Sequence, residues 1–302
     1  MTDIIIVGAG PAGLTAAIYA CRAGKRVTVF EAKSFGGQIV NARMIENYPA
    51  KPHVSGFDFA MDLYEQAVSL GAEIRFERVT ALRDGDVKTV VTKKGEYEAG
   101  AVILATGFEK RKLGLPGEDA LTGRGISYCA TCDGAFFKKK TVALAGGSGT
   151  ALEDALYLSD LAEKVYFIYP KDTFAGEEAQ TERLKSRANV EILLKSRVTA
   201  LTGDARLTGI EVTDGQNETR KIDVDGLFVA VGQIPENQGF ASLIELDEKG
   251  YVKAGEDCRT NVPGIFTAGD NRTKELRQLV TAAADGAVAA TQALAYLMRK
   301  TK

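Results

Sequence analysis

The 302-residue chain carries 45% hydrophobic and 26% charged residues, the balance of a globular protein with material for one large domain or two of ordinary size. A formal net charge of −2 excludes any global pull toward nucleic acid or membrane, and no apolar run approaches the eighteen or so residues of a membrane span. Four cysteines are too few for a disulfide framework, and MTDIIIVGAG enters a strand directly without a signal peptide, so a cytoplasmic protein is expected.

The first element is an apolar strand, Ile4–Val7, followed by Gly8, Gly10 and Gly13 in G-x-G-x-x-G spacing, an amphipathic helix, and a second apolar strand ending on Glu31. Each glycine has a separate task here: the tight turn, the close approach of backbone to a pyrophosphate, and helix-on-strand packing. The helix N-terminus faces the phosphates, and Glu31 accepts from a ribose diol, which suits FAD or NAD better than NADP. Further on, EYEAGAVILATG (96–107) closes another apolar strand on a glycine.

The loop KLGLPGE (112–118) then leads to Cys129-Ala-Thr-Cys132-Asp133. A C-x-x-C pair is either a redox disulfide or half of a zinc site. Zinc needs two more ligands, and the remaining candidates, Cys21, Cys258 and the single histidine His53, have no ligand spacing. No metal is expected. A two-residue spacer at a helix start lowers a thiol pKa and allows a small reversible ring, and Asp133 is placed to handle the proton.

Next comes a second copy of the opening pattern. Moving Gly8 to Gly146, a shift of 138 positions, lays TVALAGGSGTALEDALYLSDLAEKVYFIYP (141–170) over residues 3–32. RKIDVDGLFVAVG (220–232) likewise resembles 96–107. The chain then returns with GIFTAGD and a helical run over 278–298. The expected fold is α/β, with two Rossmann-like three-layer dinucleotide-binding modules, the second inserted into the first. The expected boundaries are 1–112 and 243–302 for the outer module and 113–242 for the inserted one.

The combination of GAGPAG, GGQ (36–38), ENYP (46–49), ATG (105–107), CATCDG and TAGD (267–270) followed by RQLVTAAADGAVAA resembles the low-molecular-weight thioredoxin reductases over essentially the whole chain. That resemblance implies FAD on the outer module. Gly8, Gly10, Gly13 and Glu31 would hold its ADP half, Gly37 and Gln38 would approach the flavin with Asn47 beside it, and Gly269–Asp270 would present a carboxylate to the ribitol. Arg277 and Gln278 would reach the flavin and its linker. It also implies that Cys132 faces the flavin, that Cys129 attacks the disulfide of thioredoxin, that Asp133 is the acid, and that the protein is a homodimer. One C-x-x-C pair cannot serve both a buried flavin and a bulky protein from one position, so the inserted module is expected to swing on its linkers.

The second Gly-rich turn departs from the family pattern. Family members that use NADPH carry GxGxxA and a following HRRxxxR element. Here Ser148 replaces the glycine that must approach a pyrophosphate, Tyr169 stands where Glu31 stands in the first copy, and YPKDTFA (169–175) lacks all three arginines. This resembles the pyridine-nucleotide-independent, ferredoxin-dependent flavin thioredoxin reductases. Because ferredoxins are acidic, Lys110-Arg111-Lys112, Arg272 with Lys274, and Lys138-Lys139-Lys140 are candidate docking residues. Two alternatives stay open: an NADPH- or NADH-dependent reductase with phosphate contacts from Lys171, Arg183 or Arg187, and a non-catalytic flavoprotein thiol sensor.

Overall fold

The computed structural model describes residues 2–42, 44–174 and 178–300. The chain divides into two compact units, one of Met1–Glu109 with Ile234–Lys302 and the other of Lys110–Gln233. Where the chain passes from one to the other, Phe108–Lys110 pairs with Gln233–Pro235 in a short ribbon. The second boundary lies at 233/234 rather than 242/243 because Asn237, fully buried, is committed to the outer unit. It accepts from Thr106 Oγ1 at 2.9 Å and donates to the carbonyls of Gly250 (2.9 Å) and Asn271 (2.8 Å).

In the outer unit the strands run in the order Glu73–Phe76, Val27–Glu31, Thr2–Val7, Glu96–Leu104, Lys88–Thr92, Val79–Arg83. Glu96–Leu104 does double duty. Its first half pairs antiparallel with Lys88–Thr92, and its second half pairs in parallel with the return strand Ile265–Thr267. Strand alternation splits the apolar residues between two faces. Ile4 and Ile6 join the layer that holds the helix Pro11–Arg22 and the C-terminal helix Leu279–Lys300, while Ile5 and Val7 join the opposite cluster with Phe30, Leu82 and Val90. The two helices cross closely. A Cβ on Gly286 would fall 2.2 Å from the carbonyl oxygen of Ala12.

The inserted unit repeats the plan with a five-stranded parallel sheet, in the order Val190–Leu193, Lys164–Ile168, Thr141–Gly146, Gly226–Ala230, Ile126–Ser127. A separate antiparallel meander, Arg197–Thr202, Gly209–Thr213 and Thr219–Asp223, covers one face, and the helix Gly149–Leu161 packs on the other. The stretch 220–232 therefore differs from 96–107: it is broken after Asp223 into a meander strand and a sheet strand, not continued as one. Both units are the dinucleotide-binding type of three-layer α/β fold. Among the described residues no helix is long and apolar enough to cross a membrane.

Candidate active site

In the outer unit, two of the three fingerprint glycines are explained by the protein and one is not. Gly8 has φ +111°, and a Cβ there would lie 2.2 Å from the oxygen of Ala105. A Cβ on Gly13 would lie 1.9 Å from the oxygen of Gly8. At Gly10 the nearest atom would be the Gly37 Cα at 3.9 Å, so the space over this N-cap is left for something other than protein. The Gly36 N–H donates to the oxygen of Ala9 at 2.7 Å, which brings the GGQ segment against the turn. Glu31 is held by two backbone donors, the N–H of Ala9 on Oε2 and that of Lys33 on Oε1, both at 2.8 Å.

The remaining residues expected at the cofactor lie in the same unit. Gln38 Nε2 donates to the oxygen of Phe108 at 3.3 Å, and Asn47 Nδ2 donates to Gln278 Oε1 at 3.0 Å, a pairing across the fold that brings two of the expected residues together. Arg277 stacks on the Tyr251 ring at 4.2 Å and donates to the carbonyls of Asp270 and Arg272, so it is not a solvated surface charge. Burial pushes the Asp270 carboxyl up to about 6, with Lys274 and Arg277 pulling part of the way back, and its Oδ1 is buried with no hydrogen-bond partner. A buried acceptor left open needs a donor from outside the chain. A ribitol hydroxyl supplies one. The open N-cap at Gly10, the anchored Glu31 and the orphaned Asp270 oxygen together fit FAD.

Arg272 and Lys274 are not docking residues. Arg272 is 1% exposed and grips Asp285 through Nε and Nη2 at 2.8 Å each, and Lys274 Nζ reaches the same carboxylate at 2.9 Å. Burial works against the Asp285 charge, but these donors and the Gly269 N–H outweigh it and hold the carboxyl below its usual range. The sequence shows two basic residues near each other. Their shared acid thirteen and eleven positions away is visible only in the fold.

In the inserted unit, Cys129 and Cys132 form a disulfide. Cys129 caps the one-turn helix Ala130–Asp133, and Cys132 is exposed. Asp133 accepts from Ser127 Oγ at 2.5 Å, and the same hydroxyl accepts the Cys129 N–H at 3.1 Å. Ser127 thus ties the acid to the cysteine backbone, a role that no local motif announces. Cys21 and Cys258 are free, with thiols pushed up by burial, Cys258 to about 12. Among the described residues no group of His, Cys, Asp and Glu gathers as a metal site.

The second Gly-rich turn closes on itself. Ser148 is the N-cap of Gly149–Leu161, and its Oγ accepts the Ala151 N–H at 3.3 Å, whereas Gly10 caps its helix with no side chain. Where Ala9 N–H meets Glu31 in the first copy, the Gly147 oxygen meets the Tyr169 hydroxyl, which donates to it at 3.2 Å. Tyr169 is fully buried against Phe167 and Phe174. Of the alternative phosphate contacts, Arg187 is engaged by Asp160 at 2.8 Å, while Lys171 and Arg183 are exposed. Ala175, the last residue of the second element, lies outside the described residues.

The pyridine nucleotide-disulphide oxidoreductase family model matches residues 2–286. A thioredoxin reductase from Treponema pallidum is 43% identical over 98% of this chain and 97% of its own. This chain belongs to the thioredoxin reductases. The thioredoxin reductase structure from Streptococcus pyogenes has a TM-score of 0.94 at 37% identity, covering 99% of each chain. A ferredoxin-flavin thioredoxin reductase from Clostridium acetobutylicum has a TM-score of 0.55 at 30% identity, over 99% of this chain and 98% of that one. As a thioredoxin reductase, the protein is an FAD-dependent oxidoreductase whose substrate is the disulfide of thioredoxin.

Proposed function

We propose that this thioredoxin reductase takes its electrons from reduced ferredoxin, with no nicotinamide nucleotide in the cycle. The observation that carries this is the closed second turn. Ser148 occupies the first-turn N–H that a pyrophosphate would need, and Tyr169 offers a buried phenol where a ribose would look for an acid. The likeness to the clostridial ferredoxin-flavin enzyme supports it.

When bound, FAD supplies the conversion of single electrons into the pair that a disulfide requires. The open N-cap at Gly10, shaped by the tight turn at Gly8 and the close packing at Gly13, would receive its pyrophosphate, Glu31 its ribose and Asp270, beside Gly269, its ribitol. Gly37, Gln38, Asn47, Arg277 and Gln278 line the flavin end. In the dithiol form, the Cys129 thiolate attacks one sulfur of the thioredoxin disulfide, and that bond breaks. Cys132 then attacks Cys129, closing the internal disulfide and releasing reduced thioredoxin. Two electrons pass to the partner, whose sulfurs take up two protons, one through Asp133. We also propose a cytoplasmic homodimer, which sedimentation of the holoenzyme tests.

A second reading, dependence on NADPH, is favoured by the relatives described simply as thioredoxin reductases and would use the exposed Lys171 and Arg183. Calorimetric titration of the oxidised holoenzyme with NADPH and NADH separates the two. No binding at millimolar nucleotide is expected. A micromolar Kd for either would replace the ferredoxin reading with the second.

A further inference from the structure

Ser127 ends the short strand Ile126–Ser127, which pairs in parallel with Leu227 and Phe228, and its side chain is buried. Its hydroxyl meets three groups of the disulfide turn. The oxygen lies 2.5 Å from Asp133 Oδ2, accepts the Cys129 N–H at 3.1 Å, and stands 3.3 Å from the Cys129 carbonyl oxygen. That carbonyl also accepts the Asp133 N–H at 3.1 Å, and its two lone pairs can serve both donors. A serine turn needs only the contact to the N–H two residues on. The carboxylate six residues on is an addition that the turn does not require.

A hydroxyl has one hydrogen and two lone pairs, and here the one hydrogen faces two acceptors. With Asp133 as carboxylate, the hydrogen goes to Oδ2, and 2.5 Å is the separation of a charge-assisted O–H···O⁻ bond. With a proton on Oδ2 the direction reverses: Asp133 donates to the serine oxygen, and the serine hydrogen turns to the Cys129 carbonyl. The Cys129 N–H stays on the serine oxygen in both forms. Neither form leaves the buried hydroxyl unpaired, so Asp133 can gain or lose a proton without moving.

We propose that Ser127 is a positioning residue for the acid Asp133, its hydroxyl hydrogen turning between two acceptors as the proton leaves and returns. The proposal rests on the reading of Cys129 and Cys132 as the thioredoxin-reducing pair with Asp133 as their acid. The reduced enzyme starts with Cys129 as thiolate, Cys132 as thiol and Asp133 protonated. Cys129 Sγ bonds to one thioredoxin sulfur, the thioredoxin S–S bond breaks, and the leaving sulfur takes the Asp133 proton. Cys132 Sγ then bonds to Cys129 Sγ, the second thioredoxin sulfur leaves, and it takes the Cys132 proton. Two electrons and two protons have passed to thioredoxin. Asp133 is left as the carboxylate that the Ser127 hydrogen meets in this disulfide form.

The test is a double-mutant cycle on a single turnover. Holoenzyme reduced with dithiothreitol and then freed of it is mixed with oxidised thioredoxin, so that no electron donor enters, and thioredoxin thiols are counted by alkylation and mass after acid quench. The proteins are wild type, Ser127→Ala, Ser127→Thr, Asp133→Asn and the double variant of Ser127→Ala with Asp133→Asn. Ser127→Ala should lower the saturating rate about tenfold, the equivalent of one hydrogen bond to a charged group, with the half-saturating thioredoxin concentration unchanged. Asp133→Asn should lower it about 100-fold or more, and Ser127→Ala should then add less than about twofold. Ser127→Thr keeps the hydroxyl on a β-branched side chain suited to a strand and should stay within about threefold of wild type. A wild-type rate in Ser127→Ala beside a slow Asp133→Asn would overturn the proposal and leave the acid in place. Equal slowing by Ser127→Ala in both backgrounds would also overturn it, because the serine would then act on the Cys129 backbone alone. So would a Ser127→Thr protein as slow as Ser127→Ala at an unchanged urea midpoint. A wild-type rate in Asp133→Asn would remove the reading of Asp133 as the acid, and the proposal with it.

Discussion

Asp270 is held in the fold at the expense of stability, and replacing it by asparagine separates that expense from its use. Burial raises the carboxyl from 3.8 to about 6 in the protein without cofactor. A carboxyl raised in the native state makes folding less favourable as pH rises, because the unfolded chain gives up its proton first. The penalty is absent below about pH 4, grows between about 4 and 6, and is fully present above 6. A gap of about 2 pH units, already net of the opposing pull from Lys274 and Arg277, corresponds to about 3 kcal/mol. Apo Asp270→Asn should therefore resist urea better than wild type at pH 8, by up to about 3 kcal/mol, with the advantage vanishing at pH 4.

The same substitution should weaken FAD, since it replaces a charged acceptor by a neutral one at the buried oxygen left open in the fold. A hydrogen bond to a charged group contributes about 1.5–3 kcal/mol, or roughly 10- to 150-fold in Kd, measurable by flavin fluorescence on titrating apoprotein. An Asp270→Asn protein less stable than wild type at pH 8, or one that binds FAD with unchanged affinity, would refute this reasoning.

Three further substitutions test the surrounding argument. Gly10→Ala meets only the Gly37 Cα at 3.9 Å, so the apoprotein should keep its urea midpoint while FAD affinity falls at least tenfold; Gly13→Ala, whose Cβ would strike the Gly8 oxygen at 1.9 Å, should destabilise the apoprotein itself by about 1–3 kcal/mol or more. Tyr169→Phe removes the hydroxyl held by Gly147 and should lower stability by about 1 kcal/mol in urea without changing thioredoxin turnover. A turnover loss would mean that this turn serves the reaction. Cys129→Ser and Cys132→Ser should each abolish thioredoxin reduction in a coupled assay while leaving donor-dependent flavin reduction intact, and residual turnover in either would remove that cysteine from the pathway.

Much of this was legible because it is local. The Gly-rich turn, its helix and Glu31 lie within about thirty residues, and a simple shift of 138 positions exposed the second copy with Ser148 and Tyr169 in the altered places. What stayed hidden depends on partners brought from elsewhere in the chain. Lys110 reads as a surface charge until the Tyr128 ring appears beneath it, and Ser127 reads as a strand residue until its hydroxyl meets Asp133. Arg272 and Lys274 look basic and exposed until Asp285, from the C-terminal helix, draws both inward. The second unit boundary moved for the same reason, because the anchors of Asn237 are Thr106, Gly250 and Asn271.

The identity of the electron donor is tested most directly by anaerobic bleaching of the flavin with NADPH, NADH and reduced ferredoxin in parallel, followed by oxidised thioredoxin. The closed turn at Ser148 and Tyr169 predicts that only ferredoxin bleaches the flavin, and that thioredoxin then restores its colour. Bleaching by NADPH within a turnover time would contradict the account.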